Sequence, residues 1–167
     1  MLLLDPEELN RKHQRWIALV TEMHAEFQFT RNASVAWTNL GKPLSESTVA
    51  LVCTAGIHLK SQPAYDLLNP HGDWSFREIP GDAPAQAIGV SHSHYDTEAP
   101  QRDIDCVFPI RTLRTLVARG VVGAAAKTHY GMMGFVPNGT PIVEETAPEI
   151  ARRLAADGVD AALLTPG

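Results

Sequence analysis

Two histidines lie close together in one short segment, Ser91–Asp96, which reads Ser-His-Ser-His-Tyr-Asp. His92 and His94 are two residues apart, so on an extended strand both imidazole rings point to the same side. Imidazole titrates near neutral pH, where it can give or take a proton or bind a carboxylate. We therefore predict that His92, His94 and Asp96 are catalytic, with Asp96 or Tyr95 orienting the rings.

The same segment also allows a metal-dependent hydrolase, because histidine and carboxylate side chains together hold catalytic zinc. The remaining ligands would have to come from His58 or His129, which lie far away in the sequence. Only a partial ligand set is visible, so we predict that no transition metal is bound. A further alternative is that the rings only form hydrogen bonds within a polar loop.

Polar residues follow the predicted strands at nearly every point where a strand ends. The clearest strand is the apolar run Thr48–Cys53, which is typical of a strand buried on both faces of a parallel sheet. The carboxyl ends of parallel strands meet at one edge of a sheet, and ligands bind there. We therefore predict one pocket that combines the catalytic histidines with substrate-binding residues from these ends: Thr54, Gly56, His58, Ser91 and His129.

Apolar strands alternate with amphipathic helices along the chain, which predicts an α/β fold with a three-layer, mostly parallel sheet and flanking helices. An N-terminal amphipathic helix is predicted to precede it, from about Asp5 to Phe27, with Pro6 in its first turn. Further strands are predicted at Gln86–Ser91, Val121–Ala126 and Val159–Leu164. Further helices are predicted at Ile110–Arg119 and from the capping box Thr146–Glu149 to Gly158.

This pattern divides the chain into two parts. We predict that residues 1–47 form an N-terminal helix and loop arm, and that residues 48–167 form an α/β domain that lacks its C-terminal part. The segment His58–Ala83 shows no clear periodicity. It is predicted to be a long irregular loop that faces a ligand or a partner.

The composition narrows the functional class. The 14 basic and 19 acidic residues give a formal net charge of −5, and Lys and Arg form no cluster, so we expect no nucleic-acid partner. No apolar run is long enough to span a membrane, and we expect a cytoplasmic protein. Cys53 and Cys106 are too few for a disulfide framework, and both are predicted to be buried small side chains. The sequence contains no glycine-rich phosphate loop and no Gly-x-Ser-x-Gly motif.

Five stretches, spread over the chain from Thr48 onward, resemble one known family. They are Val49–Leu59, Gly72–Pro80, Ser91–Asp96, Asp103–Pro109 and Glu144–Ala151. On these residues the sequence resembles the glycine/sarcosine/betaine reductase selenoprotein B family, together with the D-proline reductase small subunit. The spacing of so many separate matches makes the resemblance more specific than any single motif.

The resemblance implies a subunit of an oxidoreductase that reductively cleaves a carbon–nitrogen bond in a small amino-acid-like substrate, with electrons from dithiols. In that family a selenocysteine or cysteine attacks a substrate that is held by a carbonyl group on a partner subunit. The resemblance therefore implies a small-molecule substrate, a partner reductase subunit and no cofactor in this chain. A non-catalytic binding subunit is the alternative.

The resemblance also locates the redox residue directly after Leu163–Pro166, at the start of a helix, where the helix N-terminus stabilises an anion. The sequence stops at Gly167, before that residue. We therefore expect a translation product that ends at a selenocysteine codon, with an engineered fragment or a split subunit as alternatives. Such a chain would expose apolar surface, and we expect it to form a homo-oligomer that covers this surface.

Overall fold

A computed structural model describes residues 5–23 and 38–167 of the chain. They belong to two units, one that ends at Thr38 and one that spans Asn39–Gly167. The first unit contains helix α1, Pro6–Met23. It begins where it was predicted, because proline suits a first helical turn and the Asp5 carboxylate accepts a hydrogen bond from the backbone N–H of Glu7. The predicted last turn, up to Phe27, lies outside the described residues.

The second unit contains seven strands and three α-helices among the described residues. Its strands are β1 Thr48–Cys53, β2 Ile57–Leu59, β3 Phe76–Pro80, β4 Ile88–Val90, β5 Ala124–Ala125, β6 Thr128–Met132 and β7 Ala161–Thr165. Its α-helices are α2 Glu98–Arg102, α3 Ile110–Ala118 and α4 Ala147–Ala156. Residues 39–47 belong to this unit, where the backbone N–H of Gly123 donates to the Leu44 carbonyl and Lys42 forms an ion pair with Asp160. No helix in the described part of the chain is long and apolar enough to cross a membrane.

β1 is the central strand of the main sheet. β7 pairs with it in parallel along one edge, with Val49 opposite Ala161 and Cys53 opposite Thr165. β5 and β6 pair with it in parallel along the other edge, and β3 pairs antiparallel with β6 on the outside. The sheet formed by the described residues is therefore mostly parallel, as predicted.

Side chains of β1 point alternately to two layers of the core, as the pleat of a strand requires. Leu51 and Cys53 pack with residues of α3 on one face. Val52 packs with Tyr130 of β6 and Ile150 of α4 on the other face. Helices thus cover both faces of the central strand, which confirms the predicted three-layer α/β fold. Burying each large side chain of this kind contributes about 1.5–3 kcal/mol to folding.

β2 and β4 form a separate two-stranded antiparallel sheet in which His58 lies opposite Gly89. The prediction that Gln86–Ser91 is a strand of the parallel sheet is therefore wrong. The chain leaves the main sheet directly after β1, because Gly56 has a left-handed φ of 72°. A Cβ atom on Gly56 would lie 2.0 Å from the carbonyl oxygen of Ser91, so only glycine allows this close approach.

Two loop and cap predictions also need correction. The segment His58–Ala83, predicted to be irregular, contains part of β2 and all of β3, and its strands pair with segments distant in the sequence. Thr146 does not cap α4, because it already lies in a π-helical turn, Ile142–Thr146, that leads into the helix. Its hydroxyl instead donates a hydrogen bond to the carbonyl oxygen of Trp74.

β7 forms the outer parallel strand of the main sheet. The strand is present where it was predicted, but the prediction that it is buried is wrong: Leu163 is 49% exposed and Leu164 is 72% exposed. Between α4 and β7 lies an apolar groove of about 320 Å³, whose walls include Leu154 and Leu164. α4 packs over β1, so it leaves the neighbouring face of β7 open.

Candidate functional site

The carboxyl ends of three parallel strands meet where β1 ends. The backbone N–H of Thr54 donates to the carbonyl of Thr165 at the end of β7, at 3.0 Å. The backbone N–H of Gly56 donates to the carbonyl of Met132 at the end of β6, at 2.8 Å. These bonds hold residues 54–56 in place between the two neighbouring strands, at the edge of the sheet where ligands bind in folds of this class.

Two glycines let other segments approach this edge closely. A Cβ atom on Gly134 would lie 2.7 Å from the carbonyl oxygen of Thr54 and 3.4 Å from both the Thr54 hydroxyl oxygen and His92 Nε2. A Cβ atom on Gly167 would lie 2.3 Å from Cα of Ala55. Thr54, His92 and Gly134 are therefore close neighbours, and Gly167 packs directly on Ala55.

His92 presents an unpaired hydrogen-bond donor at this edge. Its Nδ1 accepts the backbone N–H of His94 at 3.0 Å, so the neutral ring carries its hydrogen on Nε2. Nε2 is buried and has no hydrogen-bond partner among the described residues. Burial, and to a lesser extent the neighbouring His94, lower the pKa of His92, so the ring is neutral at pH 7.

Aromatic rings hold the two histidines. The Tyr95 ring lies with its centroid 4.6 Å from that of His92, and its hydroxyl donates to the Ala55 carbonyl at 3.0 Å. Burial raises the pKa of Tyr95 to about 12, so this hydroxyl keeps its proton. The His94 ring stacks on Phe135. Of the two residues predicted to orient the histidines, it is Tyr95 that contacts His92.

Asp96 lies at the start of α2. Its Oδ1 accepts the backbone N–H of Glu98 at 2.9 Å, which is the way an aspartate satisfies a free donor at a helix start. The side chain of Asp96 is exposed. In the structure, the Asp96 carboxylate therefore binds a backbone N–H at the start of α2.

His58 and Ser91, also predicted for the pocket, form a pair of their own. His58 Nε2 and Ser91 Oγ are 2.8 Å apart. Both residues line a cavity of about 440 Å³ over the β2–β4 sheet, together with Lys60 and Gly89. The structure thus brings Thr54, His92 and His94 together at the end of β1, and places His58 and Ser91 at a neighbouring cavity.

His129 lies inside β6 and is fully buried. Its Nδ1 accepts the backbone N–H of Leu51 at 3.1 Å, and its ring meets the edge of Phe108. Burial, and to a lesser extent the charge of Arg114, lower the pKa of His129 to about 4. The sequence pattern predicted a strand at Val121–Ala126 with His129 after its end, whereas His129 lies in a separate strand, β6, which runs from Thr128 to Met132. A core residue was therefore predicted to face the pocket.

Because β6 was not predicted, Gly134 was also missed as a site residue. It follows β6 closely and contacts Thr54 and His92. A strand predicted to end at Met132 would have pointed to Gly134 and Phe135 as edge residues. The apolar pair Met132-Met133 directly before Gly134 was the available signal.

Among the described residues, no three His, Cys, Asp or Glu side chains are placed to hold one metal ion. The geometry therefore offers no support for the hydrolase alternative. Cys53 is buried, as predicted, its thiol donates to the Val107 carbonyl at 3.4 Å, and burial raises the pKa of this thiol. The prediction that Cys106 is buried is wrong, because its side chain is exposed.

The sequence of this chain is similar to a known protein family and to curated proteins. The chain belongs to the glycine/sarcosine/betaine reductase selenoprotein B family, whose model matches residues 19–167. It is 42% identical over 151 residues to D-proline reductase subunit gamma of Acetoanaerobium sticklandii, an alignment that covers 90% of this chain and 61% of that protein. It is 32% identical over 129 residues to glycine reductase complex component B subunit gamma of Carboxydothermus hydrogenoformans, covering 74% of this chain and 29% of that protein.

The chain therefore spans less than two thirds of the length of these curated relatives. A second glycine reductase complex component B subunit gamma, from Peptoclostridium acidaminophilum, is 30% identical over 128 residues. No solved structure shows a significant match.

The buried His129 predicts a pH-dependent stability. Its pKa is about 4 in the folded state and about 6.5 in the unfolded state, so the unfolded chain binds the proton first as the pH falls. The contribution of His129 to the free energy of unfolding is therefore complete above pH ~6.5. It falls by about 3 kcal/mol in total as the pH drops towards ~4. His129→Gln should remove it, because an amide oxygen can still accept the Leu51 N–H but does not titrate.

Urea unfolding of the wild type and of His129→Gln across this pH range measures the difference between their free energies of unfolding. The contributions of all other titrating groups cancel in this difference. His71→Gln, at an exposed histidine, is the control and should retain the wild-type dependence. A His129→Gln protein whose stability falls as steeply as that of the wild type would show that His129 does not titrate in this way.

Proposed function

We propose that this chain is part of a subunit of a selenol- or thiol-dependent reductase that cleaves a carbon–nitrogen bond in a small amino-acid-like substrate. Membership of the family and the names of the relatives support the reductase class. Cleaving one such bond takes up two electrons and two protons, which a dithiol supplies as it becomes a disulfide. The observation that carries the proposal for this chain is the buried, unpaired Nε2–H of His92 at the end of β1.

A neutral N–H donor of this kind suits an anion that approaches the strand ends. We assign His92 Nε2–H to the selenolate or thiolate, or to the carboxylate of the substrate, with the Thr54 hydroxyl beside it. In a buried site, a hydrogen bond to an ionised group is about twice as strong as one between neutral groups. His94 then acts through its backbone N–H, which fixes the tautomer of His92.

The position of Gly167 fits this assignment. Gly167 packs on Ala55, so a residue that follows it would begin at the same edge as His92. We propose, as the family resemblance implies, that the redox residue directly follows Gly167. The exposed Leu163 and Leu164 would then be covered by further chain or by another subunit.

The proposal extends to the setting of the reaction. The relatives are named as subunits, and we propose that this chain likewise works with a partner reductase subunit, in the cytoplasm, and that it forms a homo-oligomer. The carbonyl group that the family places on a partner subunit would hold the substrate from the opposite side. The residues of this chain would bind and orient the anion.

The nucleotide sequence tests the placement of the redox residue. Codon 168 should specify selenocysteine, as an in-frame TGA, or cysteine, and the codons after it should encode a helix. TAA or TAG at this codon would contradict the placement.

Substitution of His92 in the full gene product tests the assigned donor. His92→Phe keeps a ring but removes the N–H, and reductase turnover should fall by about 100-fold, as it does when one anion-stabilising donor is lost. The pKa of the selenol or thiol should rise, because its anion loses a hydrogen bond. His92→Gln restores an N–H donor and should recover part of both effects.

The ultraviolet absorbance of the selenolate or thiolate, measured against pH, gives its pKa independently of turnover. His71→Gln serves as the matched control. An unchanged pKa and unchanged turnover in His92→Phe would refute the role of His92, while leaving the reductase class untouched.

A further inference from the structure

One face of the β2–β4 sheet carries a second group of polar side chains. His58 and Lys60 lie two residues apart and share this face, and Gly89 and Ser91 do the same on the opposite strand, because His58 pairs with Gly89 in the register. The absence of a side chain at Gly89 lets the His58 ring pack closely over the sheet, since a Cβ atom there would lie 3.2 Å from Cε1 of His58. The cavity at this face, of about 440 Å³, is also lined by Pro100 and Gln101 of α2.

The hydrogen bonds of His58 have a defined direction. Its Nδ1 lies 2.8 Å from the carbonyl oxygen of Leu59, which can only accept, so Nδ1 carries the hydrogen. The neutral ring therefore has its lone pair on Nε2, 2.8 Å from Ser91 Oγ. Ser91 must donate its hydroxyl hydrogen to His58. This is the arrangement of a hydroxyl nucleophile beside a base that a third group orients.

Both partners are held rigidly. The backbone N–H of Ser91 donates to the Gly56 carbonyl at 2.9 Å, and the glycine at position 56 allows the two backbones to touch. His58 is only 8% exposed, and the edge of the Tyr65 ring packs against it. Tyr65 is itself fixed by a hydrogen bond from its hydroxyl to the Ile57 carbonyl at 2.9 Å. Such preorganisation is what an activated nucleophile requires.

We propose that Ser91 is a nucleophile towards esters of small carboxylic acids, with His58 as its general base, in a site separate from the one at His92. Ser91 Oγ forms a bond to the acyl carbon while its proton passes to His58 Nε2. The carbon–oxygen bond to the alcohol then breaks, and the alcohol leaves with that proton. Water attacks the acyl-serine, gives its proton to His58, and releases the acid as Ser91 regains its hydrogen.

Lys60 supplies the positive charge that stabilises the oxyanion formed in this reaction. Its side chain runs beside Gly89 and lines the cavity, so its ammonium group is available to the oxyanion that forms at the acyl carbon. The pair occurs without the Gly-x-Ser-x-Gly turn of the α/β-hydrolases, because here the two residues come from adjacent antiparallel strands.

Covalent labelling of the 167-residue chain tests the proposal. Phenylmethanesulfonyl fluoride should form a bond from sulfur to Ser91 Oγ as fluoride leaves, and peptide mass spectrometry should find the added group on Ser91. Hydrolysis of p-nitrophenyl acetate should be lost in Ser91→Ala and fall by about 100-fold in His58→Gln, the usual contribution of a general base. Ser91→Cys should restore a nucleophile at this position, which iodoacetamide would alkylate. This variant distinguishes the loss of the hydroxyl from misfolding as the cause of lost activity in Ser91→Ala.

Ser93→Ala is the matched control, because Ser93 also bonds a histidine, His94, at 2.8 Å but is exposed. It should be labelled and should hydrolyse the ester like the wild type. Absence of label on Ser91 in the folded wild-type chain, or ester hydrolysis that persists in Ser91→Ala, would overturn the proposal. Neither result bears on the reductase, which is tested through His92.

Discussion

Hydrogen bonding of β1 on both of its edges is the constraint on which the rest of the structure depends. A strand flanked in parallel by β7 and by β5 and β6 must be covered on both faces, and its alternating side chains supply the two core clusters. The same pairing brings three strand ends together at Thr54. Gly56 then turns the chain away with a left-handed φ, which creates the separate β2–β4 sheet.

The polar chemistry of the protein is set by which ring nitrogen carries the hydrogen. His92 and His129 each accept a backbone N–H at Nδ1, whereas His58 donates from Nδ1 to a carbonyl oxygen. His92 and His129 are thereby left with Nε2 donors that have no partner among the described residues, whereas Nε2 of His58 accepts the hydroxyl hydrogen of Ser91. His129 contributes a neutral ring to the core.

The sequence was a good guide to the parts of the fold that follow from local pattern. The apolar run Thr48–Cys53 and the helix start at Pro6 have signals within a few residues of themselves, and the structure places both where they were expected. Which strands pair with one another could not be predicted from such local signals. β3 and β6 pair across about 50 residues of sequence, so the burial of His129 could not be seen in the local pattern, although the pair Met132-Met133 indicated where β6 ends.

The polar cluster was also predictable only in part. The close spacing of His92 and His94 indicated a site, because such residues at strand ends are typical of sites. The separation of His58 and Ser91 into a second cavity depends on the turn at Gly56. No composition or spacing rule foretells that a single glycine will place β2 against β4 instead of in the main sheet.

The most direct test of this account is the protonation state of the His92 ring in the 167-residue chain at pH 7. Two-dimensional NMR that correlates ring protons with ring nitrogens distinguishes a protonated nitrogen from a bare one. The account predicts a neutral ring with its hydrogen on Nε2 and a bare Nδ1 that accepts the His94 N–H. A ring that carries its hydrogen on Nδ1, or on both nitrogens, would contradict it.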